Sequence, residues 1–258
     1  MYTTVLESWS NPDARTGEVQ WALTGSGDCP VKGLVGAVGL AGGGELQLRR
    51  CANAEAAIFV LDGDGELLTG EGTVPAVTET FAFVPPGAWY GVKAGADGIA
   101  LLFVYSGVDE PGKLRHEAFQ DNSSLETPKM IIKGPEDITL TELHKPEIGF
   151  LHVMSDFYID SSMGSQGLCM GQAMYVDDNA VHELHFHTNA PEFLIVVEGN
   201  GANLCADGTA VLQSPGSLSC TPAPEVHGFR RAGSQPARIV FGFAGAGSTA
   251  EAGYGLPD

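Results

Sequence analysis

The chain has 258 residues, 43% hydrophobic, 8% aromatic and 17% charged, which is enough apolar surface for a packed core and too little charge for a disordered chain. Its 13 Lys and Arg against 32 Asp and Glu leave a formal charge of -19, a field that repels phosphate backbones and anionic lipid. Nucleic-acid and membrane partners are therefore not expected, and the length suits two modest domains or one large β domain.

The N-terminus, Met-Tyr-Thr-Thr-Val-Leu-Glu-Ser-Trp-Ser, has neither a basic segment nor a long apolar run, so no secretory leader is expected and the location is read as cytoplasmic. Strands are predicted, in chain order, at Glu45 to Leu48, Ala57 to Leu61, Phe81 to Val84 and Ile99 to Tyr105. Each is rich in β-branched or aromatic residues and bounded by Gly, Pro or Asp. From Asp109 to Pro128 this pattern breaks, as a linker would, with one short helix expected around Leu114 to Phe119. Strands resume at Glu183 to His187, Glu192 to Val197 and Arg238 to Phe243. No segment sustains a 3.6-residue period, and 35 Gly with 15 Pro suit many short strands joined by tight turns. The five cysteines, Cys29, Cys51, Cys169, Cys205 and Cys220, show no C-x-x-C spacing and are read as reduced.

The two halves repeat one another. Ala57-Ile-Phe-Val-Leu-Asp-Gly-Asp-Gly65 matches Phe193-Leu-Ile-Val-Val-Glu-Gly-Asn-Gly201 at an offset of 136. Val84-Pro-Pro-Gly-Ala-Trp-Tyr-Gly91 matches Thr221-Pro-Ala-Pro-Glu-Val-His-Gly228 at 137, and Leu101 to Gly107 matches Ile239 to Gly245 at 138. Three landmarks in one order indicate a duplicated β unit closed into a small barrel or sandwich. The expected domains are residues 1–125 and 126–258.

In the second copy, Glu183-Leu-His185-Phe-His187 sets two imidazoles two residues apart on a strand, hence on one face. Glu192 opens the next strand and His227 lies downstream in Pro222-Ala-Pro-Glu-Val-His. Three imidazoles and one carboxylate suit a first-row divalent ion. At these residues the chain resembles the cupin superfamily: His185-x-His187-x4-Glu192-x6-Gly199 satisfies the first cupin motif, and Gly216, Pro222 and His227 meet the second. Asn179 and Pro224 stand where the family has Gly, and Arg231 where it has Asn; these departures fall on turns rather than ligands. The resemblance implies an all-β bicupin, two tandem jelly-roll barrels. In the first copy the ligand positions become Arg49, Cys51, Ala56 and Tyr90, which cannot build a cage, because Arg stays protonated and Ala has no ligand atom.

One divalent ion per chain, Fe, Mn, Ni or Zn, is therefore expected in the second barrel on His185, His187, Glu192 and His227. Glu183 shares the parity of His185 and His187, so it is a candidate general base; the alternative is a strand-end carboxylate in water. By the same parity His182 falls on the surface and Leu194 and Val196 on the dry wall. Phe229 is read as core, Arg230 and Arg231 as a solvated rim, and Cys51 and Cys220 as core fillers. The resemblance implies an enzyme acting on a small oxygen-rich, chelating molecule, a non-haem dioxygenase first. A redox-neutral hydrolase, isomerase or decarboxylase and a non-catalytic binding protein are the other readings. Its layout is similar to the ureidoglycine aminohydrolase-like bicupins, whose E-x-H-x3-H ligand pattern it lacks. Cupin barrels commonly pair, so a homodimer or an internal pair of barrels is expected.

Overall fold

A computed structural model describes residues 1–10, 15–26, 29–120, 123 and 126–257. Among these residues the only α-helices are Glu7–Ser10 and Thr249–Ala252, four residues each, and no helix is long and apolar enough to cross a membrane. The rest is β-structure and turns, as the Gly and Pro spacing requires.

The strands form two compact units, one comprising Leu6–Gly27 and Val31–Ile138, the other Met1–Val5, Asp28–Pro30 and Thr139–Asp258. The last passage of the chain from one unit to the other falls after Ile138. Ile131–Lys133 is an edge strand on Phe81–Val84, with Ile132 opposite Ala82, which keeps this stretch in the first barrel. Tyr2–Val5 pairs with Ser217–Thr221 and so belongs to the second. A strand this short carries too little pattern to reveal a partner so remote in sequence.

In the first barrel, Glu55–Thr69 and Trp89–Ser106 are long enough to serve both halves of a curled sheet, and Glu45–Cys51 pairs along the early part of the latter. They bend where the register slips, between Val60 and Asp62 and between Gly63 and Gly65. Gly63 has φ +86°, and a Cβ there would lie 2.2 Å from the Gly98 carbonyl oxygen, so only glycine fits the bend. The second barrel curls the path Glu192–Glu198, Ala237–Ala244, Leu168–Tyr175, Phe150–Ile159, Val181–His187 and His227–Arg231. All seven predicted strands are present. The missed ones include Gly33–Leu40 and Leu168–Tyr175, buried along nearly their whole length and therefore lacking the two-residue alternation that marks a half-exposed strand.

The duplication seen in sequence recurs in register. His185 lies opposite His227 as Arg49 lies opposite Tyr90, and Glu192 opposite Phe243 as Ala56 opposite Tyr105. Among the described residues, a buried cluster in the first barrel includes Leu34, Tyr90, Phe103 and Tyr105. Buried clusters in the second lie around Phe229 and around Phe243.

Two expectations are corrected. The helix around Leu114 to Phe119 is absent: Pro111–Lys113 makes a single 3-10 turn and His116–Ala118 pairs with Arg49 to Cys51, so sheet pairing overrides local propensity. Other linker residues, 121–122 and 124–125, lie outside the described set. Cys29 and Cys220 form a disulfide, 191 residues apart in sequence, while Cys51, Cys169 and Cys205 are free thiols. An odd count with no local spacing hides such a pair, because Cys29 groups with the second barrel and not with its neighbours in sequence.

Candidate metal centre

Val181–His187 delivers His185 and His187, Glu192–Glu198 delivers Glu192 at its first residue, and His227–Arg231 delivers His227 at its first. The four ligand atoms lie within 4.8 Å of one another. Glu192 Oε2 is 2.7 Å from His227 Nε2, 3.7 Å from His185 Nε2 and 3.8 Å from His187 Nε2. The three imidazoles are buried, at 1% to 3% exposure.

Backbone carbonyls aim two of the rings. His185 Nδ1 donates to Glu183 O and His227 Nδ1 to Glu225 O, both at 2.9 Å, which turns each Nε2 toward the centre. His185 Nε2 and both nitrogens of His187 are buried without a hydrogen-bond partner. Each such orphan costs about 1–3 kcal/mol, a penalty that disappears when its lone pair binds a cation. Burial pushes His187 down to about 4, keeping that lone pair free of a proton. Burial alone would raise the Glu192 carboxyl, but the imidazoles of His185 and His227 outweigh it and hold the group well below its usual range. At His227, burial is outweighed by the hydrogen bond with Glu192, and the imidazole titrates higher than usual. One anion among neutral imidazoles fits a divalent transition ion by donor type, charge and spacing.

The set opens into a cavity enclosing about 600 Å³ of empty space, its mouth included, with walls of Phe150, Phe157, Leu194, Phe229, Phe241 and Phe243. Among the described residues, no Lys or Arg lines it. Beyond the cage, its ionisable groups are Tyr175, His182 and Tyr254.

Sequence parity misplaced two residues of the same strand. The pairing of Val181–His187 with His227–Arg231 slips between His182 and His185, a bulge that reverses parity. His182 is consequently inside, stacked between Phe150 at 3.8 Å and His185 at 3.7 Å, with burial and the neighbouring His185 holding it neutral. The Glu183 side chain is exposed and does not line the cavity; its backbone carbonyl, not its carboxylate, reaches the centre. Tyr254 escaped the sequence reading: it pairs with His187 and its hydroxyl lies 3.2 Å from His182 Nε2. Leu194 and Phe229 line the cavity, whereas Val196 is buried core. Arg231 is occupied with Asp178 at 2.9 Å, Arg230 is exposed, and Cys220 is the disulfide partner of Cys29.

Residues 172–243 match the cupin domain, and the fold is that of two tandem cupin barrels. Salicylate 1,2-dioxygenase from Pseudoaminobacter salicylatoxidans superposes with a TM-score of 0.70 at 13% identity, over 93% of this chain and 83% of that one. The oxalate decarboxylase of Bacillus subtilis, described with Mn(II) centres, superposes at 0.59 with 13% identity, over 96% and 78%. No curated protein matches by sequence.

Proposed function

We propose that His185, His187, Glu192 and His227 hold one divalent transition ion and that the chain is a metal-dependent enzyme, a non-haem dioxygenase acting on a small chelating organic molecule. The observation that carries this reading is the convergence of four ligand atoms, within 4.8 Å, at a cavity whose walls are mostly apolar. Four protein ligands on an ion that accepts five or six leave room for a substrate. Bound there, the ion would supply Lewis acidity toward paired oxygens and, if iron, electrons toward dioxygen.

The chain's own groups define the substrate further. With no Lys or Arg in the lining, a carboxylate held anywhere but at the ion would be buried without a counter-charge. The structural relatives named above act on salicylate and oxalate. Here the substrate is a catechol, diketone or hydroxyketone whose remaining surface is apolar and flat enough to lie among Phe150, Phe157 and Phe241. His182 and Tyr254, hydrogen-bonded to each other, are the pair able to hold or pass a proton beside it.

Anaerobic loading with Fe(II), followed by oxygen uptake over a panel of neutral catechols, diketones and hydroxyketones, tests this. Iron-dependent uptake with a chelating neutral substrate is expected. Equal turnover with zinc, or turnover without oxygen uptake, replaces the oxidative reading by hydrolysis, isomerisation or decarboxylation. Saturable binding without product removes the enzymatic one.

A further inference from the structure

The first barrel keeps a polar cluster at the register positions of the metal centre. Arg49 lies opposite Tyr90, Cys51 opposite His116 and Ala56 opposite Tyr105. Tyr90 and Tyr105 are buried, and the Tyr90 hydroxyl is 2.9 Å both from that of Tyr105 and from His116 Nε2. The chain of hydrogen bonds therefore runs from the buried phenols to His116, whose imidazole is partly buried. Arg49 sits over the Tyr90 ring with Cζ 5.6 Å from its centroid, and its Nε is buried without a hydrogen-bond partner.

Arg49 makes no ion pair among the described residues. Its neighbour Arg50 is matched to Glu117 at 2.6 Å, and Arg15, Arg231 and Arg238 each hold a carboxylate. In a chain with 32 acidic and 13 basic side chains, counter-charges are abundant, yet this half-buried guanidinium has been given phenols instead. The neighbours stay neutral at ordinary pH. Burial, with the charge of Arg49 behind it, pushes His116 down to about 4, and burial pushes both phenols up. The cluster thus carries one positive charge, where the second barrel's cage is built around the Glu192 carboxylate. If His116 Nε2–H donates to Tyr90 and Tyr90 to Tyr105, the Tyr105 hydroxyl proton is left over for a further acceptor.

We infer that the first barrel binds a small monovalent carboxylate at Arg49, hydrogen-bonded by the hydroxyl network of Tyr90 and Tyr105. One guanidinium offers two parallel N–H donors to one carboxylate, and a single fixed charge favours a monoanion over a phosphate dianion. The site needs no metal and stands whether or not the second barrel is an enzyme.

Calorimetric titration of the full chain with benzoate, and with benzamide as its uncharged isostere, tests the inference at neutral pH and low salt. Saturable 1:1 binding of benzoate but not benzamide is expected in the wild type and equally in His187→Ala, which disables the metal cage. Arg49→Gln is expected to weaken it about tenfold or more, the loss of a charge-assisted contact. Tyr105→Phe, which keeps the ring in place, is expected to weaken it several-fold with an unchanged melting curve, and decides the matter if Arg49→Gln does not fold. Benzoate binding that survives in Arg49→Gln, or in Tyr105→Phe if that must decide, overturns the inference. So does binding that vanishes in His187→Ala, or a wild type that takes up no benzoate into the tens of millimolar.

Discussion

Where the second barrel sets His185 against His227 and Glu192 beside Phe243, the first sets Arg49 against Tyr90 and Ala56 beside Tyr105. The strands, their pairing and their bends are alike, so the backbone is not what makes one barrel a cation site. Tyr90 and Tyr105 are buried in the first barrel, whereas the imidazoles of the second line a cavity walled by Phe241 and Phe243. A duplicated fold can therefore exchange a carboxylate with three imidazoles for a guanidinium with two phenols through a handful of substitutions.

Matched substitutions at equivalent positions sharpen this contrast. The largest effect is expected from His187→Ala, which takes metal content by elemental analysis from one ion per chain to a trace, while Cys51→Ala at the same register position in the first barrel changes nothing. If both variants keep their metal, the ion is not on this cage. Next is a comparison of stability. Phe103 is fully enclosed, and Phe103→Ala should cost about 3–5 kcal/mol in urea unfolding; Phe241, its counterpart, borders empty space, and Phe241→Ala should cost less than about 2 kcal/mol. Equal losses would mean that the second barrel is as solidly packed as the first. His182→Ala removes the ring stacked on His185 and should weaken metal affinity about tenfold, measured by chelator competition, toward the low end for groups that orient a ligand.

The smallest expected effect is on acid stability. His116 titrates near 4 in the folded chain, below the 6.5 of a free imidazole, so the unfolded chain binds more protons between those values. Stability carried by neutral His116 is complete above about 6.5 and is lost as pH falls toward 4. His116→Gln should flatten that part of the melting-temperature profile of the metal-free protein. A slope identical to wild type would show that His116 is already solvated.

Much of this was legible in the sequence because spacing along a strand is geometry. The offsets of 136 to 138 gave the duplication, and the positions of His185, His187, Glu192 and His227 gave the cluster. What failed was anything dependent on an irregularity. A one-residue bulge reversed the parity of His182 and Glu183, and no local signal marks it. The offset of 138 also relates His116 to Tyr254, each paired with the strand that carries its barrel's centre, but the two are chemically unlike and their flanks do not match. Strand pairing across long separations, as for Tyr2–Val5 and Ile131–Lys133, likewise leaves no trace in composition.

The bond between Cys29 and Cys220 closes a covalent ring across a sequence separation of 191. A protease that severs the chain once anywhere inside that ring, including the stretch that joins the barrels, leaves both pieces fastened together. Such nicked material would run as intact protein on a denaturing gel and part into two fragments only after a thiol is added. A preparation judged whole without reductant could thus already be broken.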